Sequence, residues 1–448
     1  MPLTIPRSKS SNTRRPSVPR PVSALLRQTQ IYLGGVSGRR PRVPIDASRL
    51  EEEARRRMRP DAYAYIAAGA GNERTLIANR AAFDRWRIVP RMLRDVERRD
   101  TTIELFGRRL DSPFLLAPIG VLELAHPQAE AAVARAARAT RMPMIFSNQA
   151  SRPMEEVAGI LGEVPHWFQL YWSKSDELVE SLVARALACR CEAIVVTLDT
   201  TVLGWRPRDL ERAYLPFLRG KGIAQYTSDP VFRRLISAPA PAPGPEQQPK
   251  PALHAMATLI SLSRAYPGGF VETLRSGRGR AAVQRFIDLY SRPSLRWDDL
   301  PWLRERTNLP IVLKGVLHPD DAVRAVDAGV DGIVVSNHGG RQVDGSIATL
   351  EALPAVVEAV SGRIPVLLDS GVRGGADAFK ALALGARAVL LGRPYVYGLA
   401  IAGSLGVRDV IQNIRADFEL TMALAGCRSI EEIGPEALVP GAPLPGSS

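Results

Sequence analysis

The stretch Ser336-Asn337-His338-Gly339-Gly340-Arg341-Gln342 puts a base and an anion clamp close together, directly after the apolar run Gly332-Ile333-Val334-Val335. A neutral imidazole, with a pKa of about 6.5, is suited to taking a proton at physiological pH. A guanidinium holds a carboxylate by two parallel hydrogen bonds. His338 and Arg341 facing one ligand would therefore suit proton abstraction from a small carboxylic acid. An isolated His-x-x-Arg is more often a histidine bonded to backbone and an arginine in solvent. The rest of the chain decides between the two.

Two further clusters carry chemistry. Asp369-Ser370-Gly371-Val372-Arg373-Gly374-Gly375 and Leu391-Gly392-Arg393-Pro394 each combine glycines with an arginine. Glycines let backbone N–H groups approach an oxyanion, a following helix start adds a favourable dipole, and arginine supplies charge. Lys314 closes the run Ile311-Val312-Leu313 and is followed by Gly315. It is either an interior lysine paired with a carboxylate or a cation set against an electron-accepting ring. An aromatic cofactor with a phosphate tail would account for all three features, and flavin mononucleotide (FMN) fits that description.

Such residues need a scaffold that brings them to one end. From about residue 113, short β-prone apolar runs alternate with helical patterns, the signature of parallel βαβ units. The runs are 114–117, 144–147, 166–170, 193–197, 311–314, 332–336, 365–369 and 388–392. Eight such units predict a (β/α)8 TIM barrel, whose chemistry gathers at the C-terminal ends of the strands. Ser147, Gln169, Thr197, Lys314, Ser336 and Asp369 all stand at those ends. Segments 128–141, 176–190, 320–328 and 376–384 carry apolar residues at helical spacing and are expected as outer helices. Residues 50–80 predict a helical N-terminal extension.

About 110 residues separate the fourth run from the fifth, and that gap contains Pro239-Ala240-Pro241-Ala242-Pro243-Gly244-Pro245. A loop this long is usually functional or disordered. Residues 204–295 are expected to pass over the barrel mouth, part lid and, at the Pro/Ala stretch, mobile.

At 448 residues and 46% hydrophobic, the chain has material for one large barrel domain, placed at residues 46–435, with a tail at 436–448. The net charge of +13 does not indicate nucleic acid. Nine of the 59 Lys and Arg residues, and none of the 46 Asp and Glu residues, fall in residues 1–45, so the remainder is close to balance. That Pro/Ser/Arg-rich head cannot bury enough apolar surface to fold alone and is expected to be disordered. Its composition also allows an organellar transit peptide. With no apolar run of about 18 residues, no membrane span is expected. The three cysteines, Cys189, Cys191 and Cys427, form neither a disulfide framework nor a zinc pattern. A reducing cytosol and no metal are the expectation.

Taken together, Ser-Asn-His-Gly-Gly-Arg-Gln, the preceding Leu-Lys-Gly-Val, the following Leu-Gly-Arg-Pro and Phe418-Glu419-Leu420-Thr421-Met422-Ala423-Leu424 resemble the FMN-dependent L-2-hydroxy acid oxidases and dehydrogenases. The similarity runs from about residue 46 to residue 433. Within that family, Ile31-Tyr32, Arg85-Trp86-Arg87-Ile88-Val89-Pro90-Arg91-Met92-Leu93-Arg94-Asp95-Val96, Gly204-Trp205-Arg206-Pro207-Arg208-Asp209-Leu210 and Tyr214-Leu215-Pro216-Phe217-Leu218-Arg219-Gly220 look like the lactate 2-monooxygenase branch.

The resemblance implies roles residue by residue. His338 would take the α-proton and Arg341 would bind the substrate carboxylate, with Tyr65, Tyr171 and Arg206 completing the pocket. Tyr65 would bond the carboxylate, Tyr171 would contact the hydroxyl region, and Arg206 would reinforce anion binding. Asp199 would orient His338 and stabilise its protonated form. Ser147, Gln169, Thr197 and Lys314 would meet the flavin ring. Gly371, Arg373, Gly392 and Arg393 would meet its phosphate. Ala117, Pro118, Ile119, Gly120, Ser336 and Asp369 are expected at the same cofactor site. The implied reaction is oxidation of a small L-2-hydroxy acid, L-lactate foremost, with oxygen and with oxidative decarboxylation, as in the lactate 2-monooxygenase branch; the alternatives are an oxidase that releases 2-keto acid and hydrogen peroxide, and a quinone-linked L-lactate dehydrogenase. The implied assembly is a tetramer or octamer. Gly120 lacks a side chain where oxidase relatives commonly carry alanine, which is expected to free space beside the flavin as in the monooxygenase branch. Gln149 stands where that branch has small residues and puts the substrate side chain in question.

Overall fold

The computed structural model describes residues 23–237, 258–263 and 266–441. All eight expected runs are strands: β1 (Phe114–Leu116), β2 (Met144–Phe146), β3 (His166–Leu170), β4 (Ile194–Thr197), β5 (Ile311–Val316), β6 (Gly332–Val335), β7 (Val366–Leu368) and β8 (Ala388–Leu391). They form one closed parallel barrel, in which β8 returns to pair with β1 through Val389 to Phe114 and Leu391 to Leu116. Apart from Gly315, every strand residue is buried. Burial on both faces explains why the runs are continuously apolar instead of alternating. The fold is therefore a (β/α)8 barrel, as the sequence predicts.

Register sets the site. Thr197 pairs with Lys314, and Lys314 with Val334, so the ends of β4, β5 and β6 lie side by side. The ladder slips between Lys314 and Val316, where Gly315 takes φ +108°. A Cβ on Gly315 would stand 2.8 Å from the Cβ of Asp199, so its absence is what lets Asp199 come close to the end of β5.

Outer helices form at Ala129–Thr140, Asp176–Ala188, Pro319–Asp327 and Gly375–Ala383, each within a residue or two of expectation. Thr349–Val360 is an additional helix with Pro354 inside it. The N-terminal extension is three helices: Ala47–Arg57, Pro60–Ala67 and Arg74–Asp84.

The expected disordered head needs correction from residue 24 onward, because Ala24–Val36 is a helix lying on the C-terminal helical segment Arg393–Ala425, which is broken by a kink at Ala402 and Gly403. Ala24 N donates to Glu419 Oε2 at 2.8 Å, Arg27 Nε to Asn413 Oδ1 at 2.9 Å, and Arg42 pairs with Asp409 at 2.7 Å. Those partners lie hundreds of residues away, so local composition does not reveal them. Part of the expected tail is also built in, since Leu438–Pro440 pairs antiparallel with Trp86–Ile88.

The excursion after β4 carries short helices among its described residues, including Pro207–Leu210, Ala224–Thr227, Pro230–Ser237, Phe270–Ser276 and Arg278–Leu289. Phe286 ties its parts together, with ring centroids 4.8 Å from Tyr226 and 5.2 Å from Phe217, and Phe217 in turn meets Tyr65 of the N-terminal extension at 6.4 Å. The Pro239 to Pro245 stretch, expected to be mobile, lies outside the described residues. Among the described residues no helix is long and apolar enough to cross a membrane.

Candidate active site

A cavity of about 300 Å³ opens at the C-terminal ends of the strands. His338 reaches it because Gly332–Val335 ends in a left-handed turn, with φ of 58° at His338, 68° at Gly339 and 77° at Gly340. The Nδ1 atom of His338 lies 2.8 Å from Asp199 Oδ1. A carboxylate at Nδ1 fixes the proton there and leaves Nε2 as the free base. Thr200 Oγ1 donates to the same Asp199 oxygen at 2.9 Å and stands 3.2 Å from His338 Nδ1. Lys314 Nζ completes the cluster, donating to Ser336 Oγ at 2.9 Å and pairing with Asp369 at 3.2 Å and Asp199 at 3.8 Å.

The charges follow from burial and neighbours. Burial alone would raise the carboxyl of Asp199, but His338 and Lys314 outweigh it and hold the group well below the usual carboxylate range. Burial would lower the Lys314 ammonium, yet Asp369 and then Asp199 keep it above its ordinary value. Burial lowers His338, with Asp199 opposing. At neutral pH the trio is therefore carboxylate, ammonium and neutral imidazole. The Tyr171 phenol, buried and next influenced by Asp199, is pushed far up and remains a hydroxyl.

The anion clamp is built on a helix end. The last carbonyls of Pro60–Ala67 lack partners within the helix and accept from two arginines. Arg341 Nη1 donates to Tyr65 O at 2.5 Å and Ala68 O at 3.1 Å, and its guanidinium sits 5.0 Å from the Tyr65 ring centroid. Arg393 donates to Ile66 O and Ala68 O, both at 3.1 Å, and to Gly339 O at 3.0 Å. Burial, then Arg206, lowers Arg341 to about 9, which leaves it cationic at neutral pH. Arg206 lines the same cavity but spends Nε on Arg341 O (3.0 Å) and Nη2 on Gln342 Oε1 (2.8 Å). Its first task here is to brace the clamp.

Gln342 stands in the opening motif without an assigned role, and the structure supplies one. Its Nε2 donates to Asp199 O at 2.7 Å and Val202 O at 2.9 Å, tying the loop after β4 to the loop after β6. Thr200 and the wall residues Phe217, Phe286 and Tyr290 likewise line the cavity without a role assigned from the motifs. Glycine at 204 was the available signal: a Cβ there would meet Arg341 O at 2.6 Å, a close approach of backbones.

The residues present fit FMN. Ala117, Pro118, Ile119, Gly120, Lys314, Asp369, Gly371, Arg373, Gly392 and Arg393 line the cavity, while Ser147, Gln169, Thr197 and Ser336 lie buried at the strand ends. Gln169 Oε1 accepts from Ser147 Oγ at 3.2 Å and Asn148 N at 3.1 Å. Gln169 Nε2 and Thr197 Oγ1, on neighbouring strands, are buried without a protein partner among the described residues. Buried orphans of this kind call for a polar-edged ligand. At the other end Arg393 lies close to Arg373, and no carboxylate forms a salt bridge with either among the described residues. Burial, then Arg393, lowers Arg373 to about 10, and its Nη1 donates to Val372 O at 3.1 Å. Two half-buried cations beside the start of Arg393–Ala425 would hold a phosphate. Arg373→Ala is expected to raise the FMN dissociation constant about 10- to 100-fold, since a hydrogen bond to a charged group contributes about 1.5–3 kcal/mol. Flavin fluorescence titration checks this, and wild-type affinity would exclude a phosphate role.

Gly120 does not free space as expected. A Cβ there would meet Gln149 O at 3.0 Å and Gln149 Cβ at 3.1 Å, so Gln149 already fills the room that the missing methyl leaves.

Comparison with known proteins agrees with the geometry. Residues 54–440 match the family described as FMN-dependent dehydrogenase. An L-lactate oxidase of Lysinibacillus sphaericus is 42% identical over 91% of this chain and 96% of its own. An FMN-dependent alpha-hydroxy acid dehydrogenase of Penicillium citrinum is 41% identical over 92% and 95%. Among solved structures, mandelate oxidase with (S)-4-hydroxymandelic acid superposes with a TM-score of 0.72 at 36% identity, over 89% of this chain and 100% of that one. None of these relatives singles out the lactate 2-monooxygenase branch. The site and the relatives together place the chain in the FMN-dependent dehydrogenase family, as an FMN-dependent α-hydroxy acid oxidoreductase.

Proposed function

We propose that the protein oxidises a small L-2-hydroxy acid, L-lactate foremost, to the 2-keto acid, with oxygen as final electron acceptor and both products released. The observation that carries this is the convergence of a neutral His338, oriented by Asp199, with Arg341 and Lys314 around one cavity. An α-C–H beside a carboxylate is a very weak acid, so its base needs a cationic clamp and an electron sink nearby. FMN, when bound, supplies the two-electron acceptor. Arg341 would hold the carboxylate, supported by Arg206, and so fix the α-carbon within reach of His338 Nε2. That nitrogen takes the proton, and Asp199 stabilises the resulting imidazolium across the 2.8 Å contact. Tyr65 and Tyr171 would orient the carboxylate and hydroxyl. Lys314, held as a cation, favours negative charge at the ring.

The choice of released products rests on two points. The oxidase relatives support it, and the extra room beside Gly120 that favoured decarboxylation is taken by Gln149. Product analysis decides. Stoichiometric 2-keto acid and hydrogen peroxide are expected from L-lactate in air, whereas acetate with little peroxide would overturn the choice, as would reoxidation by oxygen too slow to support turnover.

The pH dependence has a fixed sign. The base acts only when neutral, and burial places its pKa below the ordinary value of about 6.5. The rate of flavin reduction divided by KM is therefore expected to fall on acidification, with a midpoint below that value. A midpoint above pH 7 would contradict the neutral-base assignment.

A further inference from the structure

The His338–Asp199 pair is also held from the side of the long excursion. Helix Arg278–Leu289 brings Phe286 and Ile287 to the cavity wall, and Tyr290 continues that wall. The chain is then clipped in place. Leu289 O accepts from Ser173 Oγ at 2.7 Å and Lys174 N at 3.0 Å, in the loop after β3. Buried Ser291 shares its hydroxyl proton between Thr200 O at 3.1 Å and Thr201 O at 2.5 Å, in the loop after β4. That loop has no regular secondary structure between β4 and Pro207–Leu210, so side-chain donors satisfy several of its carbonyls. Gln342 does so at Asp199 O and Val202 O, and Ser291 does so between them.

We propose that Ser291 is a positioning residue for the base. By fixing the backbone of Thr200 and Thr201, it holds the Asp199 carboxylate and the Thr200 hydroxyl against His338 Nδ1. Because it directly follows Tyr290, the wall that meets the substrate's side chain and the contact that orients the base are one mechanical unit. This deepens the proposed oxidation and rests on it.

The test uses the FMN-loaded full chain with Ser291→Ala, Ser291→Cys and Ser291→Thr. In the alanine variant the limiting rate of anaerobic flavin reduction by L-lactate should fall about tenfold, since small misplacements of a reacting group are costly. KM should change less than about twofold, and flavin content should match the wild type. The acidic limb of rate over KM should move to lower pH, because a weaker Asp199 contact leaves the effect of burial on His338 less opposed. Threonine, which keeps the hydroxyl, should restore both. Cysteine, a weaker donor of similar size, should move both the same way by less, and keeps the test readable if the alanine variant loses FMN. An unmoved acidic limb, or a loss of rate that threonine does not restore, would overturn the proposal. A wild-type flavin that no 2-hydroxy acid reduces would instead overturn the reading on which it rests.

Discussion

Replacing His338 with alanine is expected to leave FMN bound and to slow anaerobic flavin reduction by about a thousandfold or more. Removing a general base typically costs about 10²- to 10⁴-fold, and no second neutral base faces this cavity among its lining residues. Tyr171 is held as a phenol, Asp199 is turned toward His338 and Lys314, and Lys314 is kept protonated. FMN should be retained, because the residues suited to its ring and phosphate come from β3, β4, β5 and the loops after β7 and β8. The check is the visible flavin spectrum at purification, followed by stopped-flow reduction with L-lactate. Normal reduction would reassign the base, and loss of FMN would show His338 to be structural.

Arg341→Lys is expected to raise the apparent KM and slow flavin reduction together. The guanidinium in this structure is committed on one side, through Nη1 to Tyr65 O and Ala68 O. That anchorage leaves the remaining N–H groups a fixed direction toward the cavity. Lysine, a point charge on a flexible stem, reproduces neither the anchorage nor a two-bond hold on a carboxylate. Losing the hold costs binding, and losing the orientation of the α-carbon costs rate; a combined loss of about 10²-fold in rate over KM is expected. FMN content should not change. Reduction rate against L-lactate concentration, measured anaerobically for both proteins, separates the terms. A rise of KM alone would mean that Arg341 binds without aligning, and wild-type kinetics would show it to be a bystander.

What was legible in the chain follows from where each signal resides. Strands buried on both faces are short apolar runs wherever they occur, so β1 to β8 could be placed within a residue or two, and the polar residues at the ends of six of the runs marked the functional rim. Helix Thr349–Val360 was not placed, and Pro354 inside it argues locally against a helix, a preference that packing overrides. Helix Ala24–Val36 looked like part of a basic tail because its partners Glu419 and Asn413 are at the other end of the chain. Motif resemblance brought the expected site residues to one rim, but it does not distinguish a side chain that touches substrate from one that braces its neighbour. Arg206 and Gln342 hold the clamp and the Asp199 loop through contacts no spacing encodes. Gly120 shows the reverse error, since an absent side chain is not empty space when Gln149 occupies it.

The central claim is that His338, Arg341 and a bound FMN together oxidise an L-2-hydroxy acid. Anaerobic visible spectra of the yellow protein, titrated with the separate L and D forms of lactate and of larger 2-hydroxy acids, test it without assuming any final acceptor. The expected result is rapid, complete bleaching by at least one L form, none by its D form, and loss of that bleaching in His338→Ala. A wild-type flavin left oxidised by every L-2-hydroxy acid would contradict the account.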